Sequence, residues 1–370
     1  MSDVYFSICS GPTGSTDPQP SSPLFAKLPC ELRAAIFAFT LTDYEDEENC
    51  YDKKTCYTRP SYFSKRRTDT ELLRTCRAIY KECWYMPFTL REQTFWLTAV
   101  DRAPRHFRKD QLQSDLAGLR VSGSEGKLDL DYLHVFAQMY MLEEGHLARL
   151  MQTPFLRPRI ITLTIRHTDW WYWENDDPLI FRGDWISDFS RNLPDSVSQV
   201  NIELESLKRK QDQINSIAAQ MAERWFFKRP DGLVLYPDTT PGAAKITEWR
   251  GEGTWHSRHW VRDVTTSGHI EYYIATVSFR AKKPIEKRGG SISEVAEQCA
   301  SQDLYTEENL TLHVDNAEPI NNGPASIWAG HGMELAAYDD SDSDNDIEDE
   351  FESDEELTDM EAYFGLVGEE

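Results

Sequence analysis

Apolar residues recur at two spacings along this chain, and the spacing changes near residue 160. In 24–41, LFAKLPCELRAAIFAFTL, Leu32, Ile36 and Phe39 follow at i, i+4 and i+7, the period of an amphipathic helix. Pro29 suits a first helical position because its missing N–H has no intrahelical partner there. Glu31 places a negative charge in the first turn, where the helix dipole favours it. A second helix is predicted after Thr68. Thr68 and Glu71 have capping-box spacing, and Leu72, Cys76, Ile79 and Cys83 form one apolar face. Arg74, Arg77 and Lys81 fall off that face as a solvated basic stripe.

Further on, the pattern predicts a helix over about 129–152, carrying Leu133, Phe136, Tyr140, Leu147 and Leu150. Ile161, Leu163 and Ile165 then alternate with Thr162 and Thr164, which is a strand signal. A short helix around Trp185 to Leu193 follows, then a second alternation at Val200, Ile202 and Leu204. Ile214, Ile217, Ala218, Met221 and Trp225 share a helical face, and 232–236 reads as a short strand. Two strand–helix units in succession predict a parallel pair. Residues 244–280 read as strands without helices, an antiparallel addition. The predicted class is α+β: an N-terminal helical module joined to a mixed α/β body with an antiparallel sheet addition.

Charge divides the chain differently. All 39 Lys and Arg residues lie at or before Arg288, as do 39 of the 63 acidic residues. The net charge of −24 therefore belongs to 289–370, and it peaks at 339–357, DDSDSDNDIEDEFESDEEL. Like-charge repulsion predicts a disordered tail, with GGSIS at 289–293 as the linker. Ile347, Phe351, Leu357, Met360, Tyr363, Phe364 and Leu366 punctuate the acids. Such a segment either solubilises the chain or folds onto a partner, and basic proteins such as histones are the expected partners of its charge. The predicted segments are 1–23, a disordered N-terminus; 24–100, the helical module; 101–288, the aromatic-rich body; and 289–370, the linker and tail.

Seven cysteines without a C-x-x-C pair argue against a disulfide framework and against a zinc module. No basic region followed by an apolar run opens the chain, and no stretch approaches the ~18 apolar residues that span a bilayer. These features predict an intracellular protein, cytoplasmic or nuclear, with no membrane partner. No glycine-rich or aromatic readout surface accompanies the basic stripe, so direct nucleic-acid binding is not expected.

Residues 24–100 resemble the F-box-like domain that opens many fungal proteins of uncharacterised function. The resemblance rests on Leu-Pro-x-Glu-Leu-x-x-x-Ile-Phe in the first segment. It rests also on Leu72, Leu73, Thr75, Cys76, Arg77, Ile79, Tyr80 and Glu82 in the second. Thr94, Phe95, Trp96 and Leu97 fit the aromatic strand-like stretch that usually follows. The F-box binds the Skp-family linker of cullin ubiquitin ligases. The resemblance thus implies an adaptor in which Leu28, Pro29, Leu32 and Ile36 contact that linker. Residues 43–67 depart from the pattern as a long insertion, which either blocks the linker or loops away. The alternative is an interaction protein with no ligase role, whose N-terminal helices belong to its own core.

Chemistry-bearing patterns are sparse. The run 167–174, HTDWWYWE, sets aromatics directly after a strand. Trp170, Trp171, Trp173 and Trp225 either line a partner or ligand groove or cover the sheet as core residues. The acids beside them, Asp169, Glu174, Asp176 and Asp177, read as a solvated loop. Glu252, His256 and His259 lack the spacing of a helical metal motif. No phosphate-binding glycine loop or nucleophile elbow is present. No catalytic residue, metal or cofactor is predicted.

Overall fold

Leu28 and Pro29 set the geometry of the N-terminus. The computed structural model describes residues 15–121, 128–252, 254–255, 258–260, 263–264, 268–314 and 328–330. Helix α1 (Pro23–Lys27) stops where Leu28 turns extended, at φ −96° and ψ 126°, the conformation a following proline imposes. Helix α2 (Cys30–Thr40) starts one residue later than the sequence predicts, with Pro29 as its cap residue. The 43–67 insertion is structured. Strands β1 (Tyr44–Cys50) and β2 (Ser64–Arg67) form an antiparallel hairpin, tied by an Arg66–Asp43 ion pair.

The second predicted helix is broken. A 3-10 turn (Glu71–Arg74) precedes α3 (Arg77–Cys83), and between them Cys76 is extended, at φ −158° and ψ 159°. Thr68 does not cap either element. Instead the Asp69 carboxylate accepts from Glu71 N at 2.9 Å, Thr75 Oγ1 donates to Leu72 O at 2.7 Å, and Cys76 Sγ accepts from Ile79 N at 3.5 Å. Such local side-chain bonds compete with a continuous helix. Helix α4 (Met86–Thr89) completes a small core of Phe37, Leu41, Leu73, Ile79, Cys83 and Met86.

The chain then enters the sheet. Strand β3 (Gln93–Leu97), the aromatic stretch at the end of the predicted module, is an edge strand of the body. Helix α5 (Gln111–Val121) leads towards β4 (Leu130–Ala137), where a helix was expected. Leu133, Val135 and Ala137 alternate into the core, and pairing with β3 on one side and β5 (Pro158–Ile165) on the other overrides the helical spacing. Only α6 (Met139–Glu143) and α7 (His146–Met151) are helical there, separated by Gly145 at φ 77°.

Strand β6 (Ile180–Arg182), helix α8 (Ile186–Arg191), strand β7 (Gln199–Leu207) and helix α9 (Gln211–Arg224) follow. After them come β8 (Phe227–Lys228), β9 (Val234–Pro237), β10 (Lys245–Glu252), β11 (Thr254–Trp255), β12 (Arg258–Trp260) and β13 (His269–Ala281). Among the described residues, eight strands make one sheet in the order β3-β4-β5-β7-β13-β9-β8, with β10 also on β13. The first four run parallel, and β13 pairs antiparallel with β7, β9 and β10. The protein is therefore a mixed α+β fold, with the expected parallel pair extended to four strands.

Folding does not stop at the charge boundary. Helices α10 (Lys282–Lys287), α11 (Glu294–Ser301) and α12 (Glu307–Leu310) continue it, with strands β14 (Thr311–His313) and β15 (Trp328–Gly330). Ser293 caps α11 by accepting from Val295 N and Ala296 N, at 3.1 and 3.3 Å. Ala296, Cys299 and Ala300 pack on Phe226, Tyr236 and Ile285, and β14 pairs with β6. The GGSIS segment is thus no linker. A Cβ at Gly290 would lie 2.3 Å from the Asp238 carboxylate and 2.7 Å from the Ile285 side chain, so a larger residue here would push both side chains aside. The predicted acidic run 339–357 and residues 1–14 lie outside the described residues.

Alternation gives the sheet two unlike faces. Ile161, Leu163, Ile165, Val200, Ile202 and Leu204 point to the helix side, where they meet Leu147, Leu150, Phe189, Ile214, Ile217 and Met221. Thr162, Thr164, Asn201, Glu203 and Glu205 point the other way. There Asn201 bonds to Thr162 at 3.1 Å and accepts from Ser278 at 2.8 Å.

Candidate docking surface

Helix α2 carries apolar side chains on opposite sides. Phe37 is 1% exposed and faces α3 within the small N-terminal core. Arg33, one turn before Phe37, donates twice to Glu82 on α3, at 2.9 and 2.7 Å, and once to Leu28 O at 2.7 Å. Arg33 belongs to the Leu-Pro segment and Glu82 to the second family-like segment, so this fork holds the two segments together. The carboxylate raises the Arg33 pKa against a smaller desolvation.

Leu32, Ile36 and Phe39 lie on the outer side of α2, 54, 45 and 89% exposed. Neither the described residues of 101–288 nor the β1–β2 insertion buries them. Pro29 is exposed and Leu28 half-buried at the end of the same surface. Exposed single apolar residues are ordinary, but three on successive turns of one helix form a continuous patch.

The insertion neither blocks this surface nor loops away. Its connecting residues cross to the polar face of the sheet and bury charge there. Arg59 Nη2 donates to Glu203 at 3.1 Å, and its Nε stands 3.5 Å from Glu205. The guanidinium lies over the Phe136 ring, 5.6 Å from its centroid. Tyr62 donates to Glu92 and lies 2.5 Å from His134 Nδ1. His134 Nε2 bonds to Thr164 at 2.7 Å, and Thr164 donates to Glu203 at 2.8 Å. Arg166 donates to Cys56 O at 3.2 Å and pairs with the buried Asp169 at 2.6 Å. The chain thus bolts the N-terminal module to the body through a buried ionic strap.

The strap splits its carboxylates. Burial works against ionised Glu203, but Arg59, His134 and the bonds from Thr164 and Arg59 outweigh it and hold the carboxyl below its usual range. Glu92 is held low in the same way, by His134 and Tyr62 against burial. Burial pushes Glu205 up, against the pull of Arg59 and Arg166.

The tryptophan groove is corrected. Trp170, Trp173 and Trp225 are buried. Trp170 donates to Glu205 O at 2.8 Å and Trp225 to Asn309 O at 3.1 Å, so each reaches a carbonyl from within the core. Trp171 alone of the four surfaces. Of the acids beside them, Asp169 and Asp176 are not solvated but buried in ion pairs with Arg166, Arg209 and Lys210. His256 lies outside the described residues. Among the described residues no three His, Cys, Asp or Glu side chains group as a metal site, and no helix is long and apolar enough to cross a membrane.

Sequence reasoning placed the α2 stripe but missed Arg59, Glu203 and Glu205. Glu203 and Glu205 alternate with core residues, the signature of a solvent face, and their burial depends on a segment about 140 residues earlier. No local signal in the insertion marks Arg59 as buried.

No protein-family model matches the chain, and no curated protein or solved structure matches it either.

Proposed function

We propose that this protein is a non-enzymatic adaptor whose F-box-like N-terminal module docks a Skp-family linker through the outer face of α2. The observation that carries the reading is the pairing of opposite apolar faces on one helix. Phe37 and the Arg33–Glu82 fork fix the inner face, while Leu32, Ile36 and Phe39 remain outward with Leu28 and Pro29 at their end. A helix held rigidly on one side and apolar on the other is pre-organised to enter a hydrophobic groove, which lowers the ordering cost of binding. The strap supports the same reading, because it spends the insertion on the body and leaves the stripe clear. In this arrangement the α+β body carries the target and α2 carries the linker.

Co-purification of the tagged full chain with a Skp-family linker tests the proposal. The linker is expected with the wild type and absent with Leu32→Asp plus Ile36→Asp. Unchanged recovery with the double variant overturns it.

A further inference from the structure

The large sheet protects two of its edges and leaves a third open. At one end β3 is covered, with Phe95, Trp96 and Leu97 buried. At the other end β8 is two residues long. Burial and brevity are ordinary defences of an edge, which otherwise offers a row of backbone N–H and C=O groups to an approaching strand. Strand β10 has neither. It pairs with β13 residue for residue from Lys245↔Thr276 to Glu252↔His269, without a bulge, and it contains no proline. None of its residues is buried. Among the described residues β13 is the only strand beside it, so the outer backbone edge of β10 has no strand partner there.

Charge is the remaining defence, and on β10 its order favours one pairing. Glu248 and Arg250, both exposed, flank Trp249. Two antiparallel copies related by a two-fold axis at Trp249 set Glu248 of each against Arg250 of the other, at two places. Opposite charges directly across a strand pair stabilise it, and like charges destabilise it. Moving the axis by one residue sets Glu248 on Glu248 or Arg250 on Arg250, so the charges select the register. Both side chains already have partners within the chain, and both keep capacity for another. Lys208 donates to Glu248 Oε2 at 2.7 Å, and Arg250 reaches Glu271 through Nε and Nη2, at 3.1 and 3.0 Å. Glu248 Oε1 and Arg250 Nη1 take no bond among the described residues. Trp249 is half-buried and stacks on Tyr272, 4.4 Å between centroids and 15° between planes, which fixes the ring at the centre of the edge.

We infer that β10 is a self-association edge, on which two copies of this chain pair antiparallel about Trp249 and join their sheets. The main-chain groups of 246–252 supply the attraction, and the crossed Glu248–Arg250 pairs supply the register. The interface is isologous, because the same edge serves both copies. The negative charge of 289–370 opposes association at long range, and salt at about 0.15 M screens it beyond about 8 Å. The inference is independent of the linker reading, and it stands if α2 binds nothing.

The test is sedimentation velocity of the full chain over a wide range of concentration, beside amide hydrogen exchange at the two extremes. The wild type is expected to pass from monomer to dimer, with exchange at 246–252 slowing as the dimer forms. Glu248→Arg sets arginine against Arg250 at both crossings and is expected to weaken the dimer at least about tenfold. Glu248→Arg plus Arg250→Glu reverses both charges and is expected to bring the dimer back within about threefold of wild type, since the exposed pairs to Lys208 and Glu271 contribute little. Unchanged exchange in the strands of the core shows that each variant is folded. A wild type that stays monomeric at every concentration overturns the inference. So does a dimer that leaves exchange at 246–252 unchanged, or a double reversal that dimerises no better than the single one.

Discussion

The strap and the outer face of α2 treat their side chains in opposite ways. At the strap, charged groups that prefer water are buried or half-buried, and the chain sets partners beside them: Arg59 for Glu203 and Glu205, Tyr62 for Glu92, and Thr164 between His134 and Glu203, while Arg59 Nε and Nη1 make no hydrogen bond. On α2, apolar groups that prefer burial face outward, and among the described residues nothing buries them. A region whose charges are met mainly by opposite charges from within the chain is read as structural. A region whose physical preference is left unmet is read as waiting for another molecule. The difference explains why the α2 stripe, and not the denser cluster of ionisable groups, carries the functional proposal.

The largest effect should come from breaking the closed region. Arg59→Ala leaves the buried Glu205 and the half-buried Glu203 without their ion-pair partner, and is expected to cost about 3–5 kcal/mol in urea unfolding. Adding Glu203→Gln and Glu205→Gln should restore part of that loss. If Arg59→Ala leaves the midpoint unchanged, the strap does not hold the module to the body.

Next, the two faces of α2 can be set against each other with one residue type. Phe37→Ala is expected to cost about 3–4 kcal/mol, the usual price of emptying a buried aromatic site. Phe39→Ala, which is exposed, should stay within about 0.5 kcal/mol. Equal costs in thermal or urea unfolding would mean that the outer face is covered in solution.

A smaller effect is expected from pH, with opposite signs at neighbouring carboxylates. Glu203 and Glu92 are held low, so the stability they contribute is present above the ordinary glutamate pKa and is lost as pH falls through their depressed values. Glu205 is pushed up, so its contribution is present below the ordinary value and is lost as pH rises through the raised one. Between pH 7 and 4, Glu203→Gln should therefore lose less stability than wild type, and Glu205→Gln more. Urea midpoints at the two pH values check this, and parallel losses in all three proteins would contradict the assignment of the shifts.

What the sequence made legible follows from range. The stripes of α2 and α9 and the alternations of β5 and β7 are local patterns, and each became the element it predicts. Strand β4 was hidden because Leu133, Phe136 and Tyr140 also fit a helical spacing, and only its neighbours β3 and β5 decide the matter. Helix α11 and strand β14 were hidden behind an acidic composition, although Ser293 is an ordinary N-cap and Ala296, Cys299 and Ala300 share a face. The aromatic run was ambiguous because a turn at left-handed Tyr172, and not strand alternation, sends Trp170 and Trp173 inward and Trp171 and Tyr172 outward. The candidate surface on α2 was legible as a stripe, but its exposure depends on what the 43–67 insertion does.

The most direct test is calorimetric titration of the purified full chain with a purified Skp-family linker, beside the Leu32→Asp plus Ile36→Asp variant. The proposal predicts saturable binding by the wild type and a loss of at least about 100-fold in the variant, as expected when two central apolar anchors are removed, with an unchanged melting temperature. Equal affinity of the two proteins, or no binding by the wild type, would contradict it.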